Sequence, residues 1–295
     1  MDLEQLRTLV TVVDLGTFDR AAAHLHISAP AVSQRIKALE AQTGHVLVQR
    51  VVPVRLTEPG QEVLRLARQV LALHADTLEH LGAGESPGGV PRQLPVAVNA
   101  DSLATWFRPV LAELGGPQPH PVLLRISVED QDHSQALLQS GAVAAAITTS
   151  QRTVTGCRAV ALGQMIYEPC ISPRLLEALG PEPDLSTAPV VVFNDKDDLQ
   201  DSQLRRIPGG SNAPQHRVPS SEAFGRAVAD GLGWGMVPTL QMMGAPFSVV
   251  DRELVPVPQL RRETVTLFLQ RWKMPLPALD RLERSVTEQA ERYLG

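Results

Sequence analysis

The chain has 295 residues, 43% hydrophobic and 20% charged, which is enough apolar content for two or three domains with separate cores and too much for long-range disorder. A net charge of -5 argues against a protein coated in nucleic acid, and two cysteines, Cys157 and Cys170, are too few for a disulfide framework and lack metal-ligand spacing. The opening MDLEQLRTL has no basic segment followed by an apolar run, and no apolar stretch reaches membrane-spanning length, so a cytosolic protein is expected.

Leu3, Leu6, Leu9, Val10 and Val13 recur at helical spacing and Gly16 follows them, predicting a first helix over 3–14. The next stretch, FDRAAAHLHISAPAVSQRIK from Phe18 to Lys37, has the layout of a helix-turn-helix. Ala21, Ala22, Ala23 and Leu25 supply a short helix, and His26 and Ile27 the turn. Ser28 stands where an N-cap belongs, and Ala29 and Pro30 open a second helix whose first N–H groups lack intrahelical partners. Ala31, Val32, Ile36 and Leu39 would bury one face of that helix, leaving Ser33, Gln34, Arg35 and Lys37 on or near the other. Gln and Arg can contact base edges bidentately, while Ser, Lys and the helix N-terminus suit phosphate. An ordinary amphipathic hairpin with a solvated face would show the same periodicity.

HVLVQRVVPVRLTEPG alternates apolar and polar residues and is interrupted by Pro53, as in a short two-stranded wing in which Arg50 and Arg55 suit phosphate or the minor groove. Between Arg20 and Arg68 seven arginines and lysines face three glutamates, a local positive patch on an acidic protein. Thr57, Glu58 and Pro59 open a long helix to about Leu81 with a heptad-like stripe of Val63, Leu66, Val70, Leu73 and Thr77. GAGESPGGVPRQ, 82–93, reads as a hinge. Beyond it LPVAVNADS, VLLRISVEDQDHS and AVAAAIT alternate strands with helices, implying a parallel α/β sheet. A second half has strands near MIYEPCIS, PVVVFN and GWGMVP, and ETVTLFLQRW returns to the first half before a helix over 276–293. Two such lobes leave a cleft where strand ends face each other.

With its flanks, LEQLRTLVTVVDLGTFDRAAAHLHISAPAVSQRIKALEAQTGHVLVQR closely resembles the N-terminal domain of LysR-type transcriptional regulators, and the likeness extends over essentially the whole chain. VAVNADSLATWF, VEDQDHS, FNDKDDLQ and SSEAF are similar to the LysG/ArgP branch, regulators of basic amino-acid export. An aromatic is usual in the family where Val48 stands, a departure that reads as a core substitution. The resemblance implies an α/β protein with a winged helix-turn-helix over 1–58, a dimerising linker helix over 59–81, a hinge over 82–93 and a two-lobed periplasmic-binding-protein-like effector domain over 94–295. Lobe 1 would take about 94–160 and 265–295, lobe 2 about 161–264.

The expected DNA contacts are Ser28, Ala29, Pro30, Ser33, Gln34, Arg35, Lys37, Arg50 and Arg55. A lysine or arginine effector has a carboxylate suited to Ser102 and a helix N-terminus, and cationic groups that need acids. Asp101, Asp130, Asp132, Asp195, Asp198 and Glu222 are the candidate acids, with Asn99, Thr148, Thr149, Asn194 and Ser221 as neutral partners and Trp106 or Trp234 as a wall. Taken singly, each acid also fits a solvated surface charge or a helix cap, and Trp106 a core position. No cofactor, metal or enzymatic activity is expected; G-x-S-x-G, H-E-x-x-H and C-x-x-C are all missing. Implied partners are promoter DNA, the effector, further copies of the chain in a dimer and a tetramer, and RNA polymerase as a candidate, in the bacterial cytoplasm at the nucleoid. Rival readings keep the fold but change the effector or the DNA target to a replication origin, or make the C-terminal part a solute-binding or enzymatic module with an N-terminal oligomerisation segment.

Overall fold

The computed structural model describes residues 1–81, 93–117, 122–129, 131–180, 182–195, 198–243, 253–257 and 259–295, with the backbone alone at 79, 80, 131, 132, 198 and 211. The hinge reading of 82–93 therefore lies outside the described residues except at Gln93.

The N-terminal module opens with α1 (Leu3–Leu15), fixed by a capping box in which Gln5 N–H donates to Asp2 Oδ1 at 2.8 Å and Asp2 N–H donates to Gln5 Oε1 at 3.1 Å. Gly16 ends it at φ 74, a left-handed conformation that costs glycine little. Helix α2 (Phe18–Leu25) is capped by Thr17 and ends at His26. Helix α3 (Ala29–Thr43) starts where Ser28 Oγ accepts the Ala31 N–H at 3.3 Å and stops at the left-handed Gly44. Strands β1 (Val48–Gln49) and β2 (Arg55–Leu56) pair antiparallel as the wing. Leu9, Val12, Ala21, Val32, Ile36, Leu39 and Leu47 are fully buried among these elements, and Val48 belongs to the same core. Each large apolar side chain so buried stabilises the module by roughly 1.5–3 kcal/mol. Helix α4 (Glu58–His80) rises from the wing at Gly60, where a Cβ would lie 2.0 Å from the Leu47 carbonyl oxygen.

The C-terminal part contains, in order, β3 (Gln93–Val98), α5 (Ala100–Ala104), α6 (Arg108–Gly115), β4 (Leu123–Val128), α7 (Gln131–Ser140), β5 (Ala145–Thr148), β6 (Cys157–Ile171), α8 (Pro173–Leu179), β7 (Val190–Val192), α9 (Asp198–Leu204), β8 (Gln215–Arg217), α10 (Ser221–Ala229), β9 (Gly235–Pro238), α11 (Thr239–Met242), β10 (Val255–Pro256), β11 (Glu263–Trp272) and α12 (Pro277–Tyr293). The main sheet has the order β10-β6-β11-β5-β3-β4, with β9 also on β6, and β7 and β8 form a parallel pair bridged to Trp234.

An all-parallel sheet is not what forms. Only β4-β3-β5 and β7-β8 run parallel; β11 is antiparallel to both β5 and β6, because the strand that returns from the second half enters the first from the opposite end. Strand β6 is longer than MIYEPCIS suggested. It begins at Cys157 and pairs with β11 before pairing with β9, so two long strands carry the chain between the lobes. Their register shifts between Leu267 and Phe268. There Gly163, at φ 129, lets α12 end against the strand, with Gln164 N–H donating to the Leu294 carbonyl at 2.9 Å. Both cysteines are buried free thiols, and burial pushes the Cys157 thiol up to about 11 and the Cys170 thiol up to about 12. Among the described residues no helix is long and apolar enough to cross a membrane.

Helix α4 joins the two parts. Arg65 Nη1 donates to the Thr155 carbonyl at 2.9 Å and Arg68 Nη1 to the Ser140 carbonyl at 3.0 Å, while Arg68 Nη2 pairs with Asp14 of α1. Gly141, at φ 70, permits this approach, since a Cβ would stand 3.3 Å from the Arg65 Cα. Arg68→Ala is expected to shift the melting temperature by only a few degrees, since the pair with half-exposed Asp14 contributes at most about 1 kcal/mol. Hydrogen exchange at the amides of 140–142 should nevertheless rise several-fold; unchanged exchange would mean that α4 is held by packing alone.

Candidate functional site

Helix α3 and the wing present one polar surface. Gln34, Lys37, Arg50 and Arg55 are exposed, as are Ser28 and Pro30 at the helix N-terminus, with Ala29 and Ser33 half-buried beside them. Arg50 is oriented by its guanidinium lying 5.2 Å from the Phe18 ring centroid. Glu40 fixes the wing against α3 by accepting the N–H groups of Leu47 at 2.9 Å and Val48 at 3.4 Å. Arg35, also expected at this surface, is half-buried: its Nη1 donates to Glu4 Oε2 at 3.1 Å and Thr8 Oγ1 at 3.4 Å, because its position on α3 turns it toward α1, so the side chain braces the helix.

The second concentration of polar groups lies where the strand ends of the two lobes face each other, at Asp101 in α5. Tyr167 Oη donates to Asp101 Oδ2 at 2.8 Å and Ser221 Oγ to Asp101 Oδ1 at 2.5 Å. Tyr167 comes from β6 and Ser221 from the start of α10, so one carboxylate ties the first lobe to the second. Gln241 of α11 extends the network by donating to Ser221 Oγ at 2.7 Å. Burial raises the Asp101 pKa above the ordinary carboxylate value, and the hydrogen bonds from Ser221 and Tyr167 lower it. Two carbonyl oxygens, Asn99 Oδ1 at the N-cap of α5 and Gln241 Oε1 within the network, are buried without a hydrogen-bond partner among the described residues. A carboxylate and two open acceptors form a site deficient in donors. A ligand rich in N–H groups would complete it.

The other expected ligand contacts divide. Thr148 is buried at the end of β5, its Oγ1 accepting the Ser150 N–H at 3.1 Å, and Thr149 and Asn194 are half-buried. Ser102 is fully buried, with its hydroxyl occupied by the Trp106 indole N–H at 3.0 Å. Trp106 packs edge-on to Phe107 inside the first lobe and Trp234 is fully buried inside the second, so both tryptophans are core and neither is a cleft wall. Asp195 is exposed and pairs with Arg217 at 2.8 Å, and Glu222 stands on the outer face of α10 with Arg226 and Asp230; the helical rotation that aims Ser221 inward turns Glu222 out. Asp130 lies outside the described residues, and Asp132 and Asp198 are described by their backbone alone. Among the described residues no group of His, Cys, Asp and Glu could hold a metal.

Tyr167 and Gln241 were not singled out from the sequence. A tyrosine in the apolar strand MIYEPCIS did carry a signal, because a buried hydroxyl must find a partner. Gln241 carried none.

Comparison with known proteins gives two family matches that together span most of the chain: the bacterial regulatory helix-turn-helix protein of the lysR family over residues 3–61, and the LysR substrate binding domain over 87–291. The chain is 40% identical to the lysine export transcriptional regulatory protein LysG of Corynebacterium efficiens, covering 98% of each. Its fold is similar to the crystal structure of ArgP from Mycobacterium tuberculosis (TM-score 0.83, 38% identity, 98% of this chain and 97% of that one). It is also similar to full-length LysG from Corynebacterium glutamicum with bound effector Arg (TM-score 0.80, 35% identity, 99% of each chain).

The raised pKa of Asp101 has a sign that can be measured. As pH rises from the ordinary carboxylate value through the raised folded one, the unfolded chain releases its proton first, so stability falls across that window. Asp101→Asn should remove this fall in pH-dependent unfolding curves; a variant with the same pH slope would show that the carboxylate is not desolvated.

Proposed function

Because the chain belongs to the LysR family of bacterial helix-turn-helix transcriptional regulators, we propose that it controls a basic amino-acid exporter gene in response to lysine or arginine bound at the Asp101 cleft. The observation that carries this reading is the donor-poor cluster: a desolvated carboxylate that accepts from Tyr167 and Ser221, with the oxygens of Asn99 and Gln241 buried and without a partner among the described residues. An ammonium or guanidinium group brings only donors and a positive charge, which such a cluster takes up and a neutral side chain does not. The Arg-bound LysG of Corynebacterium glutamicum supports the choice of ligand. Thr148 and Thr149 at the end of β5 supply neutral hydrogen bonds to the effector's carboxylate.

At the other end, the N-terminus of α3 at Ser28 to Pro30 meets phosphate, Ser33 and Gln34 read base edges, and Lys37, Arg50 and Arg55 hold the backbone of promoter DNA. Leu66 and Leu73 on α4, 39% and 37% exposed, form the stripe on which a second copy packs, placing two α3 helices on a two-fold related operator. The effector replaces Ser221 and Tyr167 as donor to Asp101, changes the angle between the lobes, and through a tetramer alters the spacing or bend of the promoter presented to RNA polymerase. The protein works in the cytoplasm, at the nucleoid.

Calorimetric titration of the full-length protein should give micromolar binding of lysine or arginine and none of leucine, with Asp101→Ala weakening it by about tenfold or more, the value of a charged hydrogen bond. Silence with both basic amino acids overturns the effector assignment. On an operator selected from genomic fragments, Gln34→Ala should lose about 1–3 kcal/mol of affinity in anisotropy titrations, as for a bidentate base contact. Arg35→Ala should lose less, and the reverse order would return Arg35 to the reading face.

A further inference from the structure

Away from Asp101, a cavity of about 770 Å³ lies where three modules meet: Val10 and Asp14 of α1, Arg68, Ala72 and Asp76 of α4, and the first residues of β3, β4 and α12 with Trp272 at the end of β11. That volume is within the range of about 300–1,000 Å³ common to small-molecule sites. We propose that this junction cavity is a second small-molecule site, for a monoanion with an apolar body.

Its floor is apolar and ordered. Ala72, Leu94, Val122, Trp272 and Leu276 are all under a tenth exposed, and they come from three different elements and the segments before β4 and α12. Its charge is unbalanced toward the positive. Three arginines, Arg68, Arg125 and Arg281, line it against two aspartates, Asp14 and Asp76. Arg68 is already paired with Asp14. Arg125 of β4 is exposed at the cavity and has no partner among the described residues. An apolar surface beside an unmatched guanidinium is complementary to a carboxylate carried on a hydrocarbon or aromatic body, and opposes a cation of the same shape.

Its location determines the effect. No single module forms the cavity, so a ligand that fills it contacts the reading module, α4 and the effector domain together and favours the arrangement in which they meet. Such a ligand would act on the orientation of the DNA-reading surface without entering the Asp101 cleft.

The test uses full-length protein, octanoate as the apolar anion and octylammonium as its cationic counterpart, by isothermal calorimetry. One octanoate per chain is expected, with octylammonium at least tenfold weaker. Ala278→Trp, which fills the cavity from the first turn of α12, should abolish octanoate binding, and Arg125→Ala should weaken it about tenfold, as loss of a charged hydrogen bond would. Thermal unfolding serves as the control for folding, and Ala142→Leu repeats the filling test from the turn between α7 and β5 if the tryptophan variant is unfolded. A saturating addition of arginine should leave octanoate binding in place. Equal affinity for the two ions, indifference to both filling variants, or displacement of octanoate by arginine would each overturn the proposal, the last by placing octanoate in the cleft. None of these outcomes depends on arginine being the physiological effector.

Discussion

A carboxylate withdrawn from water must be met by donors, and in this protein Asp101 is met by one from β6, which runs between the lobes, and one from α10 of the second lobe. Tyr167 and Ser221 both reach it, so the energy that keeps the carboxylate hydrogen-bonded is also an energy of lobe closure. Any cation that offers better donors competes for the same oxygens. The cleft is thereby coupled to the geometry of the domain by one group, and a short network through Gln241 carries the coupling to α11.

That coupling matters only if the reading module is attached to something the lobes can move. Arg65 and Arg68 provide the attachment by donating to main-chain carbonyls at Thr155 and Ser140, both in the first lobe. Arg68 also pairs with Asp14, so the same side chain touches the first helix of the DNA-reading module. The interaction is half-exposed and individually weak. A weak joint is what a regulator needs, because a contact of many kcal/mol could not be redistributed by binding one amino acid.

The order of elements was legible where a single local rule fixed each of them. Capping at Ser28, the glycine stop at Gly44 and the apolar period of Val32, Ile36 and Leu39 required no tertiary information, and each is found as expected. Strands β8 and β10 were not legible, since they are three and two residues long and the three residues of β8 are all exposed, leaving no alternation to read. Arg35 is a related case: helical spacing places it near the polar face, and only the position of α1 shows that Glu4 and Thr8 accept from its guanidinium.

For the cleft, the sequence by itself determined that acids and small polar residues sit at strand ends, and it put Asp101 and Ser221 among them. The tertiary structure decided which of them meet. Asp101 and Ser221 are 120 positions apart and hydrogen-bonded, whereas Glu222, next to Ser221, faces outward, and Asp195 is held by Arg217. Local sequence sets the chemical character and approximate place of a side chain, because caps, turns and periodicity are short-range. The direction in which it points across a cleft depends on how two lobes, joined by two long strands, are turned toward each other, and that is a property of the packed chain.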